Sequence, residues 1–528
     1  MESAMRLSRA RWEPSRRAVL GGAVMVGLSG LLAACSGGAL VGQAPALTGP
    51  PKHGGNLRVG FVGGGAADTV DGAIATNLGD IARAINMYST LLYRDDDYVL
   101  QPMLATSIRP NSDATVWTAE LRTDVKFSDG RDMTAKDVVA SVKRIIDPDD
   151  PKNGAAGLAH LEDVVAVDEH TVEFRLSSPD SALDDGLGQY TMTIVPDDFD
   201  VENPVGTGPY MLESFVPARS TVLKANPHYW GEEGPYLDTI ELLNFNDTDA
   251  LINALLSSQV DVVAQIPAAL SEVIESDERM RVLDSDTGMW LPFTMRTDVE
   301  PFDDERVRQA FRLVVDREQM IEQVLSGHGQ VGNDMFAPYD PAYPEFPQRT
   351  QDIAEAKRLL AEAGYPDGID IELATAPIQA GVVEAAQVYA EQAAEAGIRV
   401  TINRMDLTTY WGGYLEYPFS QSFWYTRNFL PQSNSGSMPD APFNETHWAD
   451  EEFVQLVEQA RGETDDDARG ALIEEAQRIM YERGSLIIWG FSDQLDAHQS
   501  YVGGLVPNAT GLPLSGFQLH RAWIGDPA

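Results

Sequence analysis

The chain has 528 residues, a formal net charge of −43 and one cysteine. Such an acidic excess repels phosphate backbones and argues against a nucleic-acid partner. A single cysteine excludes intramolecular disulfides and cysteine-based zinc sites, so the folded body must be held by apolar burial, and the length predicts about three compact units.

The first 34 residues have the pattern of an export signal. Several arginines precede an apolar stretch from Ala18 to Ala34, which ends directly before Cys35. A basic head, an apolar middle and small residues before a cleavage point are typical of a signal peptide. The segment resembles the lipobox of bacterial lipoproteins, which implies a lipid on Cys35. The alternative is an uncleaved anchor, although the stretch is short for a bilayer that needs about 20 residues.

The sequence also contains features typical of a particular export route and of a flexible linker. The pair Arg16-Arg17 is similar to a twin-arginine export signal, from which the chain departs at Val19 and Gly21. Residues 35–52 are rich in glycine, proline and small residues, and we interpret them as a flexible linker. No later apolar run approaches the ~20 residues of a membrane span, so a lipid would be the sole membrane attachment.

Hydrophobic periodicity predicts alternating strands and helices from residue 55 onward. The predicted strands are 55–61, 116–121, 171–176, 369–374, 398–404 and 485–489. The predicted helices are 80–92, 134–146, 303–325, 352–363, 381–396, 449–461 and 465–483. The strand–helix–strand succession within 369–404 predicts a parallel pair with a right-handed crossover. The whole pattern indicates an α/β protein.

Two helix starts are also predicted. Thr134 with Asp137 three residues later is a variant of the capping box, in which two side chains satisfy free backbone N–H groups. Asp303 is the predicted N-cap of one long amphipathic helix that ends before Gly327.

The chain lacks the common motifs of catalysis. Its eight histidines are scattered, with no pair at helical spacing, and it has neither a G-x-S-x-G nucleophile elbow nor a phosphate-binding loop. With 81 acidic residues, pairs of carboxylates arise by chance. We therefore predict no catalytic residues, no metal ligands and no cofactor, and we favour binding over catalysis.

An ordered series of short motifs runs through the body of the chain. It comprises LATS (104–107), TDVKFSDG (123–130), TAKDV (134–138), GTGPY (206–210), NPHYW (226–230), PFDDERVRQA (301–310) and AKRLLAEAGY (356–365). This series resembles the family 5 extracytoplasmic solute-binding proteins, which serve peptide, oligopeptide and nickel ABC importers. The resemblance covers about residues 53 to 525.

The resemblance implies an α/β, two-lobed periplasmic-binding-protein-like fold of type II, in the large cluster with an extra subdomain. Its lobes are discontinuous and joined by hinge strands. The expected divisions are lobe I at 53–95, 196–290 and 491–528, the extra subdomain at 96–195 and lobe II at 291–490.

The resemblance also implies a function. The protein would be a monomeric lipoprotein on the outer face of the cytoplasmic membrane, which captures a peptide or another small solute between its lobes. It would deliver the solute to ABC permease subunits that have a separate ATPase. The alternatives are a carrier of a sugar or amino-acid conjugate, a nickel-complex carrier, a sensory lipoprotein and a secreted hydrolase.

The expected ligand contacts lie in the second half of the chain. In peptide-binding members, a tryptophan is followed three residues later by an aspartate that holds the peptide amine; here Trp424 and Tyr425 precede Arg427 at that position. A guanidinium prefers a carboxylate or phosphate to an ammonium group. Arg427 therefore binds either an acidic or hydroxyl-rich group of the ligand or an acid of this chain, such as Asp440.

Two further tryptophans are candidates for the cleft wall. The resemblance places Trp411 in the cleft, and Trp489 ends the predicted strand near the return to lobe I. Aromatic walls suit organic ligands because they bury a large area and stay rigid. Ordinary core packing is the alternative for each.

Overall fold

The computed structural model describes residue 47 and residues 49–525. The predicted signal peptide, Cys35 with its lipid, and most of the predicted linker lie outside the described residues. Among the helices that are described, none combines the length and the apolar character that crossing a bilayer requires.

The strands are numbered in chain order. They are β1 (Asn56–Val62), β2 (Leu92–Arg94), β3 (Leu100–Pro102), β4 (Ala105–Pro110), β5 (Val116–Leu121), β6 (Leu161–Ala166), β7 (Thr171–Leu176), β8 (Tyr210–Val216), β9 (Ser220–Ala225), β10 (Thr239–Phe245), β11 (Val262–Val263), β12 (Met280–Trp290), β13 (Phe293–Met295), β14 (Gly329–Val331), β15 (Ile369–Thr375), β16 (Ile398–Arg404), β17 (Phe419–Gln421), β18 (Leu486–Ile487), β19 (Gly490–Gln499), β20 (Val502–Gly503) and β21 (Trp523–Ile524).

The α-helices are numbered in the same way. They are α1 (Leu78–Met87), α2 (Ala135–Ile145), α3 (Leu183–Leu187), α4 (Thr248–Leu256), α5 (Ser271–Glu275), α6 (Glu305–Leu313), α7 (Arg317–Leu325), α8 (Ile353–Glu362), α9 (Val382–Ala394), α10 (Leu407–Gly412), α11 (Phe429–Gly436), α12 (Glu451–Gly462), α13 (Asp466–Arg483) and α14 (Pro513–Gly516). Short 3-10 helices cover Gly72–Ile74, Asn153–Leu158, Ala268–Leu270 and Leu519–Arg521.

The largest sheet is 8-stranded and gathers distant parts of the chain. Its order is β12-β19-β11-β1-β10-β9-β8, and β14 pairs with β19. Strand β1 runs parallel to β10 and β11 and buries Leu57, Val59 and Phe61. Because these strands come from separate stretches, neither half of the chain could form this sheet alone.

A second sheet of five strands has the order β16-β15-β17-β13-β18. Strands β15 and β16 are parallel, and Ile369 lies opposite Ile398. Helix α9 connects them, so the predicted strand–helix–strand unit is confirmed. The core of this region contains Phe293 and Tyr389, whose ring centroids are 4.5 Å apart.

The predicted single helix over 303–325 is wrong, because the chain forms α6 and α7 with a break between them. At the break, Asp316 has φ −81° and ψ 99°, and its side chain accepts a hydrogen bond from the backbone N–H of Gln319. An aspartate that caps the next helix competes with continuation of the previous one. The N-cap of α6 is Asp304 and not Asp303.

A third sheet, antiparallel and 4-stranded, has the order β4-β5-β7-β6. Helix α2 packs on it and begins with the predicted capping box of Thr134 and Asp137. Trp117, Phe127 and Phe174 belong to a hydrophobic core that is separate from those of the other two sheets. This region therefore has a hydrophobic core of its own.

Two neighbouring strand pairs join the largest sheet to the five-stranded sheet. The chain leaves β12 and enters β13 through residues 291–292, and it returns from β18 to β19 through residues 488–489. The indole Nε1 of Trp489 donates a 2.7 Å hydrogen bond to the carbonyl of Leu291, which ties the two crossing segments together. The body therefore has two principal sheets connected by crossing strands.

Candidate functional site: a cavity lined by all three sheet regions

A cavity of about 650 Å³ is lined by residues of distant segments. Its wall is drawn from 75–103, 153–157, 180–193, 209–233, 425–443 and 510–521. The segment 425–443 follows β17 of the five-stranded sheet, whereas the other segments accompany the largest and the four-stranded sheets. A volume of this size suits a small organic solute.

Hydrogen bonds hold the start of segment 425–443 in place. Trp424 and Trp290 exchange two backbone hydrogen bonds of 3.0 Å at the end of β12. The hydroxyl of Thr426 donates to the carbonyl of Ala509 at 2.7 Å, and Tyr98 Oη donates to the carbonyl of Thr426 at 2.8 Å. These contacts fix the backbone on both sides of Tyr425.

Arg427 lines the cavity and is partly buried. Its Nη1 donates a 2.8 Å hydrogen bond to Ser435 Oγ, and its Cζ lies 5.4 Å from the ring centroid of Trp424. Burial lowers the pKa of Arg427, because desolvation disfavours the charged form. Among the described residues Arg427 forms no ion pair; the predicted alternative pairing with Asp440 is not formed.

The other two arginines of the wall are neutralised. Arg94 forms an ion pair with Asp185, which also accepts a 2.9 Å hydrogen bond from Asn428 Nδ2. Arg521 binds Asp96 through two hydrogen bonds of 2.7 and 2.8 Å. Within the described wall, Arg427 is thus the arginine without a countercharge.

Tyrosines form much of the aromatic wall. Burial raises the pKa of Tyr190 to about 12, and burial also raises the pKa of Tyr425. In the described part of the chain, neither hydroxyl has a protein hydrogen-bond partner, and both residues line the cavity. They offer neutral O–H groups near Arg427, whose positive charge acts on the pKa of Tyr190.

The structure brings some of the predicted site residues together and separates others. Tyr425 and Arg427 line the cavity, and Trp424 lies behind Arg427, 8% exposed, with its ring stacked on Trp290. Trp411 is 44% exposed on α10 and is not part of the wall. Trp489 is 1% exposed, within the core of the five-stranded sheet, and is not part of the wall either. A ligand-binding role for these residues stays a prediction.

Sequence reasoning missed most of the wall. Arg94, Tyr190 and Arg521 are distant in sequence and follow no shared motif, so only tertiary folding brings them to one cavity. The resemblance at residues 424–427 was the available signal, and two of the residues that it singled out, Tyr425 and Arg427, line one side of the cavity.

A separate group of possible metal ligands comes from β12, β19 and the connection between α7 and β14. The group consists of one ligand atom from each of three residues, all within 4.8 Å of one another: Asp284, His328 and Asp493. His328 Nδ1 is 2.8 Å from Asp284 Oδ2. Burial, together with the charges of Asp284 and Asp286, raises the pKa of Asp493 to about 7. The group is outside the cavity wall, and a hydrogen bond accounts for the approach of His328 to Asp284 but not for that of the Asp493 carboxylate.

Comparison with known proteins identifies a family to which this chain is similar in sequence. Residues 99–441 match the family described as bacterial extracellular solute-binding proteins, family 5. The chain is 28% identical over 335 residues to the glutathione-binding protein GsiB of Salmonella choleraesuis, covering 62% of this chain and 65% of that protein, less than two thirds of its length. It is 24% identical over 479 residues to the dipeptide-binding protein DppE of Bacillus subtilis, covering 81% of this chain and 85% of that one.

Solved structures of similar proteins have the same fold as this chain. The binding protein AgaA of A. tumefaciens R10, in complex with agropinic acid, is 25% identical with a TM-score of 0.76, covering 89% of this chain and 99% of its own. The substrate-binding protein CtaP of Listeria monocytogenes, 19% identical, has the same fold with a TM-score of 0.80 over 90% of this chain and 100% of that chain. The predicted two-lobed α/β fold is confirmed. The chain belongs to family 5 of the bacterial extracellular solute-binding proteins.

Proposed function

We propose that this protein is the receptor of an ABC importer, which encloses a peptide or peptide-like solute and passes it to permease subunits with a separate ATPase. The observation that carries the proposal is the cavity of about 650 Å³ lined from both principal sheets. A solute that contacts both sides favours the closed form over the open one. The relatives reported above are named as binding proteins, which supports binding without turnover.

The proposal includes the division of the chain into lobes and its place in the cell. We retain lobe I at 53–95, 196–290 and 491–528, the extra subdomain at 96–195 and lobe II at 291–490. We further propose export by the twin-arginine route, a lipid on Cys35 and a monomer outside the cytoplasmic membrane. Mass spectrometry of the mature N-terminus tests the lipid: a chain without a lipidated Cys35 contradicts it.

Binding is tested by native mass spectrometry of the purified protein, followed by calorimetry with peptide and sugar-acid libraries. We expect one bound solute per chain. Filling the cavity by Gln189→Trp should abolish binding, because Gln189 lines the wall. Gln455→Trp at an exposed position of α12 is the matched control and should bind normally. Equal binding by both variants would place the ligand elsewhere, and the absence of any bound solute would contradict the receptor function.

A further inference from the structure

We propose that Arg427 is the anchor of a carboxylate subsite and that the solute therefore carries an acidic group. The inference rests on the proposed function and names the class of its ligand. It concerns the part of the cavity between Arg427, Ser435, Tyr190 and Tyr425.

The first argument is the distribution of charge in and behind the wall. The described carboxylates of the wall itself are Asp180 and Glu233, and neither forms an ion pair with Arg427. Asp185 is the carboxylate that acts most on the pKa of Arg427, yet its oxygens are already engaged by Arg94 and Asn428. Asp96 is likewise engaged by Arg521.

Two other buried or partly buried arginines, Arg308 and Arg461, also have no described acidic partner. Arg308 donates to three backbone carbonyls and Arg461 bonds to His160 and Asn434, whereas Arg427 has one described side-chain hydrogen bond. The missing acceptor can come from the ligand.

The second argument is the unused hydrogen-bonding capacity of the guanidinium. An arginine has five N–H donors in a planar fork, and for Arg427 the described protein atoms accept at one of its nitrogens, Nη1. The ring of Trp424 and the hydroxyl of Ser435 hold the fork in position. A fork that is already positioned loses less side-chain freedom when it binds a planar, two-oxygen partner.

The third argument is the character of the surrounding groups. The hydroxyls of Tyr190 and Tyr425 are further donors without a described acceptor, so they suit the same anion. A free ammonium group beside Arg427 would face a cation. The aromatic rings favour an organic acid over an inorganic anion, because they bury apolar area.

The experiment compares matched acidic and neutral probes by calorimetry. The probes are N-acetylated tripeptides as free acids and as C-terminal amides, and glucuronate with glucose. A charge-assisted hydrogen bond predicts that the acid of at least one pair binds about tenfold or more tightly than its neutral partner. Arg427→Gln should remove that preference, so that the acid and its neutral partner bind with affinities within about twofold of each other. Arg427→Lys, which keeps the charge without the fork, should be intermediate.

The matched control is Arg404→Gln, which removes one positive charge from an exposed position of β16. It should retain the preference for acids. Two results would overturn the proposed carboxylate subsite and leave the receptor function intact. One is equal affinity of the wild-type protein for the neutral probes and the acids; the other is an Arg427→Gln variant that keeps the preference for acids. Failure of every probe and absence of co-purified solute would overturn the receptor function and the subsite together.

Discussion

Asp334 and Arg427 show two ways in which this protein places charge away from water. Asp334 is fully buried and accepts hydrogen bonds of 2.9 and 2.8 Å from Arg317 Nη2, and Arg349 Nε lies 2.8 Å from its Oδ2. Burial opposes its ionisation, but the charges of Arg317, Arg312 and Arg349 outweigh burial, so its pKa lies below the ordinary value. Around Asp334 the protein supplies every countercharge itself.

The segment 422–445 differs, because its charged groups form no ion pair with any residue that the structure describes. Arg427 meets a neutral hydroxyl and an aromatic ring. Glu445 accepts hydrogen bonds from the hydroxyls of Tyr414 and Ser422, and burial raises its pKa to about 7. We propose from this difference that Asp334 serves folding, whereas Arg427 is available to a ligand. Uncompensated charge at a cavity is the pattern expected of a functional site.

The largest effect is expected at Asp334. Asp334→Asn leaves Arg317 and its neighbours buried without their carboxylate and should lower the free energy of unfolding by about 3–5 kcal/mol. Urea denaturation measures this change. Asp440→Asn, at an exposed acid, is the control and should change stability by no more than about 0.5 kcal/mol. A loss below about 1 kcal/mol for Asp334→Asn would remove the contrast between the two regions.

An intermediate effect is expected from Glu445. A carboxyl whose folded pKa is about 7 contributes stability that is fully present below its unfolded pKa and is lost as the pH rises through 7. Glu445→Gln should reduce the difference in unfolding free energy between pH 5 and pH 8 by about 2 kcal/mol. Thermal and urea unfolding across this range measure it, with Glu384→Gln at an exposed position of α9 as control. The same pH dependence in both variants would show that Glu445 stays ionised.

The smallest effect on stability is expected at Arg427. Arg427→Gln leaves no described carboxylate unpaired, so the free energy of unfolding without ligand should change by no more than about 1 kcal/mol. The same urea experiment measures it in protein freed of bound solute. A loss of about 3 kcal/mol would assign Arg427 a structural role like that of the arginines around Asp334.

Much of the fold was predictable because local patterns carry it. The parallel pair β15–β16, helix α2 with Thr134 and Asp137, and strands β5 and β7 follow hydrophobic periodicity and capping rules. The break between α6 and α7 was missed because Asp316 interrupts an apolar stripe that continues across it. When a capping residue favours a new helix and the apolar periodicity favours continuation of the old one, tertiary packing decides between them.

The site was predictable only in part. Tyr425 and Arg427 were identified as candidates, and both line the cavity. Trp489 satisfies the same description as an aromatic residue near a crossing segment, yet it lies in the core and donates to Leu291. Sequence does not distinguish an aromatic ring that faces a cavity from one that faces a core, because both need apolar neighbours.

The amino-acid sequence alone determined the family, the α/β class and the presence of an unusual arginine at position 427. These features depend on residue order, local periodicity and the chemistry of single side chains. Only the tertiary structure decided that Asp185 is occupied by Arg94 and Asn428 and that Asp440 does not reach Arg427. Whether a charge is compensated depends on distances between remote segments, which the folded chain alone establishes.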